Sequence, residues 1–118
     1  MKPGYTGIKR VLYATLYSMQ GLQAAWKHEA AFRQETVLSV LLISVTFFLP
    51  VSKLEQLMLI GSLVLVVLVE LLNSAIEAIV DRVGSERHEL SGRAKDIGSA
   101  AVFIALLFAG FTWFLILV

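Results

Sequence analysis

"LMLIGSLVLVVLVELLNSAIEAIVDR", residues 57–82, begins as hydrocarbon and ends as charge. From Leu57 to Val69 no side chain is ionisable, yet Glu70, Asn73, Glu77 and Asp81 follow within three helical turns. A continuous apolar run of this length is read as a helix that crosses a bilayer core of roughly 30 Å. Placing carboxylates on such a helix is costly unless they face protein, water or a cation. The stretch therefore predicts both a membrane span and a reason for interrupting it.

Two further runs resemble it. Residues 30–49, "AAFRQETVLSVLLISVTFFL", carry Arg33 and Glu35 in their opening turns and stop at Pro50, where "PVSKLEQ" reads as a short polar turn. Residues 97–118 contain no charge. Between the second and third runs, 81–96 form a charged loop with Gly84 and Gly92. At 58% apolar, 16% charged and mean hydropathy +0.79, the 118-residue chain lies outside the ordinary soluble range. The expectation is one all-α integral-membrane domain, 1–118, with spans at 30–49, 57–80 and 97–118. No cysteine is present, which excludes disulfides and thiolate chemistry, and no cleavable signal peptide is read at the start.

The first helix differs in kind. Ile8, Val11, Leu12, Leu16, Met19, Leu22 and Trp26 fall on one side of a helix over about 5–28, with Lys9, Gln20 and Lys27 elsewhere around it. Such a helix lies in the membrane surface. Lys2, Lys9, Arg10, Lys27 and Arg33, together with Arg82, Arg87, Arg93 and Lys95, flank one side, against Lys53 alone on the other. The positive-inside rule puts the N-terminus and the 81–96 loop in the cytoplasm and the C-terminus outside. Trp113 suits the outer aromatic belt.

Glu70 comes about 20 Å into the second span and Glu77 about 10 Å further, at a rise of 1.5 Å per residue. Seven residues at roughly 100° each return to within about 20° of the same direction, so Glu70, Asn73, Glu77 and Asp81 form one stripe. One buried Glu could merely fix helix packing, but a stripe reaching a basic loop points to an active site or a conduction path. Glu77, with Glu29 at similar depth, suits a hard cation such as Mg²⁺. Glu70, deeper and drier, suits a general base, and Lys95 and Asp96 open the third span beside the loop cations. These features indicate phosphate chemistry on something dissolved in the bilayer without identifying ATP. "GYTGIKR" lacks the ending of a phosphate-binding loop, "HELSG" lacks the second His of a zinc helix, and His28 and His88 stand apart from other ligands. The basic clusters are juxtamembrane, where anionic lipid or nucleotide is the expected partner rather than nucleic acid.

"EAAFRQE" and "VELLNSAIEAIVDRVGSERHELSGRAKDIGSAAV" closely resemble the bacterial integral-membrane diacylglycerol kinase family, over nearly the whole chain. The resemblance implies an ATP- and Mg²⁺-dependent kinase of the inner membrane that converts diacylglycerol to phosphatidate, assembled as a homotrimer with composite sites. It makes Glu70 the general base supported by Asn73, and Glu29 and Glu77 the metal ligands. Arg10, Tyr17, Glu86, Arg87, His88, Lys95 and Asp96 match nucleotide contacts, together with the two metal-binding glutamates. Arg10, Ser18, Trp26, Ala31, Phe32, Arg33, Glu35, Ser99 and Trp113 match positions near the lipid, as does Glu70. Met19, Gln23 and Arg87 depart from the pattern, in headgroup or nucleotide contacts rather than in the stripe. Relatives phosphorylate undecaprenol instead, but "EAAFRQE" and the loop favour the diacylglycerol branch, which is that of the proteobacterial enzymes. A small proton-coupled transporter also uses an intramembrane Glu, although it leaves the Mg²⁺-like pair and Lys95–Asp96 without a purpose. A structural subunit with a polar packing stripe is a third reading.

Overall fold

A computed structural model describes residues 6–84 and 89–118. Four helices follow in order, α1 (Gly7–His28), α2 (Ala30–Thr46), α3 (Lys53–Val83) and α4 (Glu89–Leu117), and the described residues contain no strand. The all-helical expectation holds.

Glu29 alone separates α1 from α2. Its extended backbone (φ −117°, ψ 104°) serves both as the end of one helix and as the start of the next. The Arg33 guanidinium reaches back across this bend and donates from Nη1 to the Trp26 (2.7 Å) and Lys27 (3.2 Å) carbonyls. A cation on the last carbonyls of α1 is favoured by the helix dipole. Arg33, matched above to a lipid-adjacent position, is thereby tied to the corner of the fold.

The second helix stops earlier than the 30–49 reading. Pro50 disfavours helical backbone at residue 49. The chain tightens beforehand: the amides of Phe47, Phe48 and Leu49 donate three residues back, to Ser44, Val45 and Thr46. At 17 residues α2 is about 26 Å long. Two helices among the described residues, α3 and α4, are long and apolar enough to cross a membrane. The core helix of a soluble protein would be mostly buried, but only 28% and 17% of their apolar windows are. Their grease faces outward, as lipid requires.

At the start of α3, Ser52 and Glu55 close a reciprocal cap: Ser52 N donates to Glu55 Oε1 (2.9 Å) and Glu55 N to Ser52 Oγ (3.1 Å). Helix α3 runs on to Val83 and α4 begins at Glu89. The segment 81–96, expected as a loop, is thus helical at both described ends. Gly92 does not break α4, because glycine inside a helix costs only about 1 kcal/mol against alanine and the flanking turns outweigh it.

Leu59, Ser62, Leu63, Val66 and Glu70 are the buried residues of α3, and Gly98, Ala105, Ala109 and Thr112 those of α4. The latter recur every three, four or seven residues, so a small-residue seam lets the two backbones approach. Val66, Ala105 and Ala109 form the apolar centre of this contact, with Val69 against it. At one end Trp113 Nε1 donates to the Leu59 carbonyl (3.2 Å) and Gln56 Nε2 to Thr46 Oγ1 (3.2 Å). The first bond joins α4 to α3, the second α3 to α2.

Candidate active site in the polar half of the α3 face

The face of α3 that packs as Leu59, Leu63 and Val66 continues, in the same register, as Glu70, Asn73 and Glu77. One helix side is therefore an apolar seam in one half and a polar wall in the other. Glu70 is only 5% exposed. Its carboxyl lies beside that of Glu35 on α2, close enough for the two to interact. Glu35 Oε2 and the neighbouring Thr36 Oγ1 are buried without a hydrogen-bond partner. The resemblance put Glu35 near lipid; the fold places it directly on Glu70.

One turn along, Asn73 Nδ2 donates to Glu77 Oε2 (3.3 Å). Asn73 Oδ1 is buried and unpaired. Glu29 and Glu77 both lie near enough to Glu70 to act on its charge. Glu29 also borders a cleft of about 650 Å³ between α1 and α3, lined by Ser18, Gly21, Ala25 and His28 on one side and Leu71, Ser74, Ala75 and Ala78 on the other. His28, which the sequence left isolated, shares this cleft with Glu29.

Asp81 ends the stripe by pairing with Lys95 of α4, Oδ1 to Nζ at 2.7 Å. The hydrogen bond and charge of Asp81 raise the Lys95 pKa above its ordinary 10.5. A raised lysine pKa means that the pair acts at neutral pH and is lost only as strongly alkaline pH passes the folded value. Both groups are solvated, so the pair aims Lys95 more than it stabilises the fold. Asp81→Asn is expected to lower the rate of any phosphate chemistry by several-fold and to leave the thermal midpoint nearly unchanged. Steady-state rates beside a melting curve check this, and equal losses in both would assign Asp81 to the fold instead.

The remaining positions are dispersed in a single chain. Tyr17 stacks on Tyr13, with ring centroids 6.2 Å apart, on α1. Arg10, Trp26 and Ala31 are exposed, whereas Phe32 is buried. Asp96 lines a shallow groove of about 500 Å³ with Glu89, Gly92, Arg93, Ile97 and Ala100, and Ser99 is exposed beside it. Trp113 is held at the far end of α3 by Leu59, on the other side of the apolar seam from the carboxylates. Glu86, Arg87 and His88 lie outside the described residues. No group of three or more His, Asp or Glu placed to hold a metal ion by themselves is found among the described residues.

An all-helical membrane protein whose inner helix face turns from apolar packing to paired carboxylates is the class that fold and site define. Residues 16–117 match the profile of the family described as prokaryotic diacylglycerol kinase. The chain is 56% identical over 108 residues to a diacylglycerol kinase of Haemophilus influenzae, covering 92% of each chain. It is 55% identical over 112 residues to the Escherichia coli K12 protein of that name, covering 95% of this chain and 92% of the other. A Pseudomonas aeruginosa diacylglycerol kinase is 56% identical over 114 residues, covering 97% and 93%. The chain belongs to the prokaryotic diacylglycerol kinase family.

Proposed function

We propose that this protein transfers the terminal phosphoryl group of ATP to the free hydroxyl of diacylglycerol, giving phosphatidate, at the cytoplasmic face of the inner membrane. The observation that carries the proposal is the Glu35–Glu70 carboxyl pair, with Glu70 buried and Glu35 half-buried at membrane depth. Relatives that cover nearly the whole chain and are named diacylglycerol kinase support the substrate.

In this reading Glu70 accepts the hydroxyl proton, which Glu35 can share. The lipid oxygen bonds to phosphorus and ADP leaves, with no phosphorylated residue between. Glu29 and Glu77 offer hard oxygen donors few in number, and these two carboxylates would hold a Mg²⁺ ion, which tolerates few protein ligands. When bound, that ion supplies neutralisation of phosphate charge. Asn73 holds Glu77, while Lys95, aimed by Asp81, offsets charge on the transferring group. Arg10, Tyr17, Glu86, Arg87, His88 and Asp96 complete the nucleotide side. Ser18, Trp26, Ala31, Phe32, Arg33, Ser99 and Trp113 lie toward the lipid. Catalysis of this kind is mostly positioning and electrostatics.

The reading includes three spans. α2 and the tightened turn after it together reach about 30 Å, enough to cross a bilayer core. It also includes a homotrimer. A protomer measuring 49 × 42 × 21 Å buries few apolar side chains and scatters the nucleotide-side residues. Neighbouring copies would bring them together.

Purified protein with ATP, Mg²⁺ and either diacylglycerol or undecaprenol, scored for phosphorylated lipid, is the test. Phosphatidate formation with little undecaprenyl phosphate is expected. The reverse preference would reassign the substrate, and no phosphorylated lipid of either kind would favour proton-coupled transport.

A further inference from the structure

The Asn73 amide that faces Glu77 occupies the space a side chain at residue 98 would take. A Cβ built on Gly98 overlaps Asn73 Oδ1 and comes within 3.2 Å of its Cγ. The other described glycines, Gly7, Gly21, Gly61, Gly84, Gly92 and Gly110, have nothing within 4 Å of such an atom. Gly98 is also buried, at the point where α4 meets the polar half of the α3 face. The Asn73 oxygen lodged there is buried with no conventional donor, and the glycine Cα–H that stands in place of a side chain points at it. Such a contact is a weak hydrogen bond. With its oxygen in this slot, the amide turns its nitrogen toward Glu77 Oε2.

We infer that Gly98 is a positioning residue: its bare backbone forms a slot on α4 that locks the Asn73 amide and so orients the Glu77 carboxylate for the nucleotide's metal ion. The inference rests on the proposed role of Glu77 as a metal ligand. Partners that orient metal-binding carboxylates typically change metal affinity or activity by 10–100-fold when removed. A methyl at residue 98 should act in the same way, by displacing Asn73 rather than by touching any ligand. Helix packing alone would predict a different pattern, because a general loosening of α4 against α3 does not depend on what stands at residue 73.

The test is a double-variant cycle on the full-length protein, read as Mn²⁺ affinity by electron paramagnetic resonance with a non-hydrolysable ATP analogue present. Gly98→Ala should weaken Mn²⁺ binding by about tenfold or more in the wild-type background. Placed on Asn73→Ala, the same change should weaken it by less than about twofold, because the atoms that the methyl strikes are gone. Equal weakening in both backgrounds, or none in either, overturns the slot. If Gly98→Ala alone does not fold, Asn73→Ala should restore the folded protein, and failure of the double variant to fold also overturns it. Mn²⁺ binding by the wild type that is indifferent to Glu77→Gln would instead overturn the metal role of Glu77, a result separable from the cycle.

Discussion

Replacing Glu70 by Gln is expected to lower lipid phosphorylation by about 10²–10⁴-fold while nucleotide affinity changes no more than a few-fold. A positioned general base contributes on that scale, and the substitution keeps the side chain's length and a polar group beside Glu35. The carboxyl is buried at the junction of α2 and α3 and is not itself assigned to the nucleotide. The loss should therefore appear in kcat, with binding of a nucleotide analogue preserved. Glu35→Gln is the informative companion. It leaves Glu70 able to accept a proton but removes the carboxyl with which that proton is shared, so a loss of roughly tenfold is expected, far less than for Glu70. Rates with diacylglycerol in detergent micelles, beside analogue binding, separate the two. If Glu70→Gln retains a tenth of the wild-type rate, Glu70 is not the base. If Glu35→Gln is the more damaging change, the roles are exchanged.

The sequence made the helices and the polar stripe legible because both depend on a single period. Glu70, Asn73 and Glu77 line up through the 3.6-residue turn alone, whatever packs against them. The apolar run from Leu57 to Val69 announces a span by composition. What lay beyond this reading concerns relations between helices. That Glu35 meets Glu70 depends on how far α2 slides along α3, and no period within either helix encodes that offset. The slot at Gly98 has the same origin: "KDIGSAA" shows a glycine, but only the approach of α4 shows that Asn73 fills the missing volume. Trp113 reads as a belt residue from its position, yet its indole spans to the Leu59 carbonyl, a partner 54 residues away. Local signals were also present and passed over. Ser52-x-x-Glu55 is a capping box in plain sequence, and it fixes where α3 starts after the Pro50 turn. The charged appearance of 81–96 obscured the helical residues at 81–83 and 89–96, because solvated helical turns and loops share a composition.

Glu77→Gln should raise the Mg²⁺ concentration needed for half-maximal activity by at least tenfold and lower the maximal rate as well. Glu29→Gln should do the same to a smaller or equal degree. The reasoning starts from the ligands. Mg²⁺ prefers oxygen and keeps several waters, so a site with two protein carboxylates loses about half of its anchoring when one becomes an amide. The two residues are differently supported. Glu77 is braced by the Asn73 amide at 3.3 Å. Glu29 sits on the single extended residue between α1 and α2, held through the Arg33 bridge to the end of α1. A residue at a bend can readjust more readily than one on a continuous helix, which is why the larger effect is assigned to Glu77. Combining the two substitutions distinguishes a shared ion from two independent roles. If both glutamates hold one ion, the second substitution adds less than the first, because the site is already lost. Additive losses would mean that they act separately and that Glu29 serves the α1–α3 cleft instead. Mg²⁺ titrations of the lipid-kinase rate for both single variants and the double variant decide between them. The apolar half of the α3 face should be indifferent to these changes, so the melting temperature serves as the control: a fall that tracks the loss of rate would place Glu77 in the packing of the helices rather than in the site.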